Sequence, residues 1–363
     1  MRMRVQISAI YARWRSNRNA VGIVLLALFI GTLPLWLGTP YALSTMIFIG
    51  IYSIVTIGLC LLMGFAGQIS LGQSAFFALG AYGSAILSAH FDWSPWLAMV
   101  AAAIITGGIA AVIGAPIFRL RGHYLAMGTL AFGAIIHVIA VEWRTYTGGS
   151  SGLPGIPRLT LAGTPIRSDM SYYYLVWFFV LIALIIALNI VNSRFGRALR
   201  AIRDSQEAAA SLGIDVSRYK LQTLVVSAIF ASVAGSLYTH YMIFISPAAA
   251  ELDLSIRLVL MAAVGGMASI WGAPFGTAGV MLLTLGLREI VPLVTRHGSG
   301  EYQIIAYGIL LVAIMIFMPE GLIAGARKAW ERSRSRDTGP VAWLWRRAQR
   351  GGQRIRVLGQ RGQ

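Results

Sequence analysis

From Asn19 to Phe91 the chain contains no Asp, Glu, Lys or Arg. A soluble domain is roughly 25% charged and spreads those charges over its surface, so a water-exposed fold has no use for such a stretch. The whole chain is 57% hydrophobic and only 12% charged. Apolar runs of about 20 residues recur, enough to cross a hydrocarbon layer roughly 30 Å thick at about 1.5 Å per helical residue. These runs are continuous, as in FFALGAYGSAILSAHF, and lack the polar-apolar alternation of a membrane barrel. The expected fold class is an all-α polytopic membrane protein.

Polar breaks divide the chain into ten candidate helices, near 20–37, 41–63, 71–90, 95–118, 122–142, 172–191, 221–245, 254–270, 272–291 and 302–319. An even number returns both ends to one side. Segments 1–19, 119–121, 192–220 and 321–363 hold 24 of the 30 Lys and Arg, which assigns them and both termini to the cytoplasm. The expected organisation is a basic N-terminus (1–19), a transmembrane region (20–320) with an external loop (143–171) and a cytoplasmic loop (192–220), and a basic tail (321–363). Eight spans is the alternative, with the Gly-rich break near Gly64 or Gly266 re-entrant. The run 20–37 exceeds a signal-peptide core and no small-x-small site follows in TPYAL, so it reads as a retained span. The net charge of +17 follows membrane orientation, not nucleic acid, and lets the tail touch anionic lipid. Cys60 stands alone, which excludes an intrachain disulfide and reads as a packing thiol.

Catalytic signatures are missing. There is no HExxH, no Cys/His cluster at metal spacing and no GxSxG elbow, so no catalytic or metal-binding residue is expected. His123 and His137 read as packing residues. Asp92, Glu142, Asp169, Glu251, Asp253, Glu289, Glu301 and Glu320 fall at helix ends or in loops by the windows above, which disfavours an ion-coupled carrier with a buried carboxylate. Neither lysine, Lys220 or Lys328, stands in a phosphate-binding loop. An active transporter built on this chain needs a separate ATPase that pushes on one of its cytoplasmic features.

The cytoplasmic segment SRFGRALRAIRDSQEAAASLGIDVSRYK offers such a feature. Asp204 is expected as an N-cap with Glu207 as its capping-box partner, Ala208, Ala209 and Ala210 are strong helix formers, and Gly213 suits a left-handed stop. The outcome is about two helical turns held off the membrane. Small alanines let a partner approach closely, while Arg203, Asp204 and Glu207 present charges at one end. A plain solvated loop helix explains the arginines but not the capped alanine run.

GRALRAIRDSQEAAASLGID resembles the cytoplasmic loop of LivM-type permease subunits of the branched-chain amino acid ABC transporters. GFAGQISLGQSAFFALGAYGSA, TGGSSGLPGIPR, DLSIRLVLMAAVGGMASIWGAPFG and FMPEGLIAG resemble stretches of the same family, so that the likeness runs from about Met46 to Ala326. The resemblance implies a permease for branched-chain or other hydrophobic amino acids in a bacterial inner membrane. It also implies a paralogous LivH-type permease, two ATPases that bind ATP and Mg, and a periplasmic binding protein. In that family the loop is a coupling helix seated on the ATPase, with Glu207, Ala208, Ala209 and Gly213 at its core. Related permeases serve urea or short amides, which is the close alternative; a self-contained channel or secondary carrier is the alternative of another class.

GFAGQISLGQ sets Gly64, Gly67 and Gly72 around Gln68, Ser70 and Gln73, with Ser74 next. Glycines there allow an unwound turn or close helix contact, and the amides and hydroxyls can bond a polar solute or one another. Gly67, Gln68, Ser70, Gly72, Gln73 and Ser74 are the candidate pathway residues, with tight helix packing as the competing explanation. VGGMASIWGAPFG, from Val264, echoes the pattern weakly.

Overall fold

The computed structural model describes residues 20–34, 36, 39–118, 123–161, 163–294 and 308. The expected basic termini, the 119–121 loop and all but Gly308 of the expected tenth span lie outside these residues. The elements in chain order are α1 (Ala20–Pro34), α2 (Pro40–Leu59), α3 (Gln73–Ala89), α4 (Pro95–Ile117), α5 (His123–Glu142) and the short α6 (Arg144–Thr147). They continue with α7 (Asp169–Asn192), α8 (Arg194–Asp204), α9 (Gln206–Ser211), α10 (Val216–Met242), α11 (Leu252–Gly265) and α12 (Gly272–Val294). A π-helical turn, Cys60–Phe65, extends α2.

Five of these helices are long and apolar enough to cross a membrane: α2 with its π-turn, α4, most of α5, α7 and α10. Burial sorts them into layers. The most apolar windows of α2 and α10 are 78% and 61% buried within the chain, while α4, α5 and α7 keep only 39%, 28% and 44% inside. The first pair therefore forms the axis of the bundle and the others turn apolar faces outward, toward lipid or another subunit.

Small residues let α3 lie directly on α10. A Cβ on Gly235 would collide with the carbonyl of Phe77, and one on Gly80 with the backbone of Ser232. Ser236 Oγ donates to the Gly80 carbonyl at 3.1 Å. Backbones brought this close gain dispersion contacts and interhelical hydrogen bonds, the forces that hold helices together where water supplies no hydrophobic drive.

At one end of the bundle, four two-residue strands qualify the all-α expectation. Leu153–Pro154 (β1) pairs with Phe244–Ile245 (β4), and Thr160–Leu161 (β2) with Thr164–Pro165 (β3). They order the Gly- and Pro-rich segment between α6 and α7. Ile156 and Leu159 are buried there, Trp96 Nε1 donates to the Thr160 carbonyl at 2.7 Å, and the His240 ring bonds Pro157 O at 2.7 Å and Ser84 Oγ at 2.8 Å. The carbonyl can only accept, so Nδ1 carries the proton and Ser84 donates to Nε2. His137 serves a similar purpose, Nδ1 donating to the Pro247 carbonyl at 3.2 Å.

The expected window 272–291 coincides with α12, whereas 254–270 needs correction. α11 has only 14 residues, about 21 Å of helix against a hydrocarbon layer of about 30 Å. Its first turn lies deep in the bundle, where Ser255 Oγ donates to Ser74 Oγ at 2.8 Å and accepts from the Ser74 N–H at 3.0 Å. Neighbouring Gln73 Nε2 donates to Ser227 Oγ at 2.9 Å, and Ser227 stands about 16 Å along α10 from Val216. α3 likewise begins at this depth. Two helices thus start inside the bundle and run in opposite directions, each fed by irregular backbone. Apolar windows cannot reveal this, because the feeding segments are themselves uncharged.

Candidate functional site

The charged loop folds into two helices, not one. Ser193 Oγ accepts from the backbone N–H groups of Phe195 and Gly196, starting α8. Buried Gly196, Leu199 and Ile202 hold one face of α8 to the bundle while Arg194 and Arg197 are exposed. Ser205 then takes an extended conformation, and its Oγ accepts from the Ala208 N–H at 3.2 Å, starting α9. The expected cap at Asp204 is therefore one residue early, and Glu207 is not its capping-box partner. Asp204 completes α8 because the apolar face of that helix extends through Ile202, and Ser205 is an equally good cap.

The stop at Gly213 stands where the sequence puts it. Gly213 has φ 81°, its N–H donates to Ala210 O at 2.9 Å, and the Ile214 N–H donates to Ala209 O at 3.1 Å. This paired closure satisfies two helix-end carbonyls and needs a residue at ease in the left-handed region. On α9, Ala209 is buried, whereas Glu207, Ala208 and Ala210 are exposed; Asp204, at the end of α8, is exposed too, and Leu212, just past α9, is 79% exposed. The other end is pinned by Lys220, 4% exposed on α10, whose Nζ donates to Gln206 Oε1 at 2.8 Å. The expected helix boundary near residue 221 thus moves back to Val216, and α9 is a braced surface feature.

Arg203 joins this feature to the first Gly-rich break. Its Nη1 donates to the Gly64 carbonyl at 2.6 Å, at the end of the π-turn. A π-turn leaves carbonyls out of the regular helical ladder, so an external donor is needed there. Gly67 has φ 66°, and a Cβ on it would stand 3.3 Å from Arg203 Cγ. A Cβ on Gly64 would overlap the carbonyl of Met267, in the second Gly-rich break. Three segments far apart in sequence, 64–67, 203 and 267, therefore meet at one junction by the end of α8.

The six candidate pathway residues spread over three surroundings. Gly67 faces Arg203, and Gln68 Nε2 folds back to Ala66 O at 2.9 Å. Gly72 packs where a Cβ would stand 2.5 Å from the Thr129 carbonyl, tying the break to α5. Gln73 binds Ser227 through Nε2 while its Oε1 has no partner among the described residues, and buried Ser70 Oγ has none among them either. Ser74 bonds Ser255 and the Ala250 carbonyl and lines a cavity of about 270 Å³ with Leu71, Gly133 and His137. Cys60 is fully buried in the π-turn.

Three residues of the site escaped the sequence reading. Ser205 was hidden by the stronger cap pattern beginning at Asp204, and Gln206 and Lys220 carry no local signal because their bond spans 14 positions. The Arg203–Gly64 bond spans 139 positions and is visible only in three dimensions.

Residues 41–318 match the family described as branched-chain amino acid transport system / permease component. The Salmonella typhimurium high-affinity branched-chain amino acid transport system permease protein LivM is 30% identical over 300 residues, covering 76% of this chain and 68% of the relative. The LivH permease of the same organism is 27% identical over 292 residues, covering 75% of this chain and 91% of the relative. BraD of Pseudomonas aeruginosa is 27% identical over 291 residues, with the same coverages. No solved structure matches the chain. A match over that span, together with a relative at this identity, means that the chain belongs to the family of permease components of branched-chain amino acid transport systems.

Proposed function

We propose that this permease component is one half of the membrane core of an ABC importer for branched-chain or other hydrophobic amino acids. It is a multi-pass inner-membrane protein, and the reading adds ten crossings with both termini in the cytoplasm. A LivH-type paralogue forms the other half, two cytoplasmic ATPases supply ATP and Mg chemistry, and a periplasmic protein delivers substrate to the β1–β4 end. This chain contributes no catalytic group.

The observation that carries the coupling reading is the braced α9 with its exposed Glu207, Ala208, Ala210 and Leu212, linked through Arg203 to the break at Gly64. Closure of the ATPases presses α9 toward the bundle. Because α9 is tied to α8 and α10, the push reaches the Gly64 carbonyl and, through the Gly64–Met267 contact, the second break. Irregular segments bend at lower cost than continuous helix, so they convert the push into a change of access.

Glu207→Lys and Gly213→Val test this in the reconstituted complex. Expected is a fall in binding-protein-dependent leucine uptake of about tenfold or more, within the usual range of coupling free energies, with ATP hydrolysis continuing. Normal uptake per ATP in both variants sinks the coupling role of α9.

A further inference from the structure

A second cavity, of about 500 Å³, lies on the other side of the segment that feeds α11. One wall is aromatic: Phe48 and Tyr52 of α2 and Tyr238 of α10. Their rings brace one another, with centroids 6.5 Å apart for Phe48–Tyr52 and 6.0 Å for Phe48–Tyr238. The facing wall carries Glu251, Asp253 and Arg257. Arg257 Nε and Asp253 Oδ2 are 2.8 Å apart, an ion pair across one helical turn. The Glu251 carboxylate has no ion-pair partner among the described residues.

The charged side chains of this wall are open to the cavity, Arg257 being 44% and Asp253 64% exposed. Glu251 and Asp253 stand at a helix end, as the sequence indicates, but that helix begins beside Ser74 and Ser255, well inside the bundle. Charges inside a membrane bundle face a cavity or each other and mark solute sites. A cavity of this size, apolar on one side and with few convergent polar groups on the other, has the form of a small-molecule site.

We propose that this cavity is a transit site for a zwitterionic α-amino acid. The Arg257 guanidinium takes the carboxylate, Glu251 takes the ammonium group, and Phe48, Tyr52 and Tyr238 receive an aliphatic side chain. Asp253 holds Arg257 in place and is a positioning residue. A solute with both charges matches the mixed wall, since the Asp253-held guanidinium has further N–H donors for a carboxylate and Glu251 offers an acceptor for an ammonium group, whereas a neutral amide would leave Glu251 without an ionic partner. The proposal rests on the importer reading and refines it to a place in this chain.

The test uses the full complex in proteoliposomes, with radiolabelled leucine presented on the binding protein and ATP hydrolysis followed in parallel. Leucine uptake by the unaltered complex checks the importer reading separately; its absence would refute that reading before any variant is compared. Given uptake, Arg257→Gln and Glu251→Gln are each expected to reduce it about tenfold or more, the size of one lost charge-assisted bond, while binding-protein-stimulated hydrolysis persists. The double variant Asp253→Asn/Arg257→Met, which leaves no unpaired charge of that pair, is expected to stay as low as Arg257→Gln. Recovery of uptake in the double variant, normal uptake in both single variants, or loss of subunit assembly in the variants would make these charges structural and overturn the transit site.

Discussion

At the scale of the residue, the sharpest dependence falls on Arg203. Its guanidinium reaches a carbonyl that the π-turn cannot satisfy within α2, and a charge-assisted bond of this kind contributes about 1.5–3 kcal/mol. Arg203→Met is expected to cut transport per ATP by about tenfold and to leave subunit assembly unchanged, because Leu199, Ile202 and the Lys220–Gln206 bond still hold α8 and α9. Transport and ATPase assays on the same vesicles check this; equal losses in both would point to a folding role. Arg203 was legible in the sequence as part of the charged loop. Its acceptor was not, since nothing local connects residue 203 to residue 64.

At the scale of the element, helix contacts divide the glycines by consequence. Gly235→Leu has no space against the Phe77 carbonyl, so α3 and α10 must separate. The purified protein is expected to lose several degrees of Tm or to fail to accumulate in the membrane. Gly286→Ala meets no atom within 4 Å and exchanges a flexible helical residue for a good helix former, worth about 0.5–1 kcal/mol. A melting curve unchanged or shifted upward is the expected result, and a Gly235→Leu protein as stable as the unaltered one contradicts the close packing of α3 on α10. Element positions were readable where a helix runs unbroken: α4, α5 and α7 start and end near their apolar windows. They were misread at α9 and α11. A one-residue choice between Asp204 and Ser205 depends on how far the apolar face of α8 extends, and the start of α11 depends on its meeting with Ser74.

At the scale of the whole molecule, a chain with buried α2 and α10 and outward-facing α4, α5 and α7 has apolar surface to share with lipid and with a second permease. Vesicles holding this chain alone are expected to show no leucine flux above the lipid leak, with uptake appearing only when the paralogue, ATPases, binding protein and ATP are present. Flux through the chain alone would favour a self-contained carrier. The membrane class, the family and the presence of a capped surface helix were determined by the sequence, because uncharged runs, basic loops and helix caps are local properties with direct energetic meaning. Tertiary structure alone decided that the two Gly-rich breaks meet beneath Arg203, that α3 and α11 begin inside the bundle, and that Glu251 and Arg257 share a cavity with an aromatic wall. Those facts depend on which distant backbone atoms come within a few ångströms of one another, and no periodicity along the chain encodes that distance.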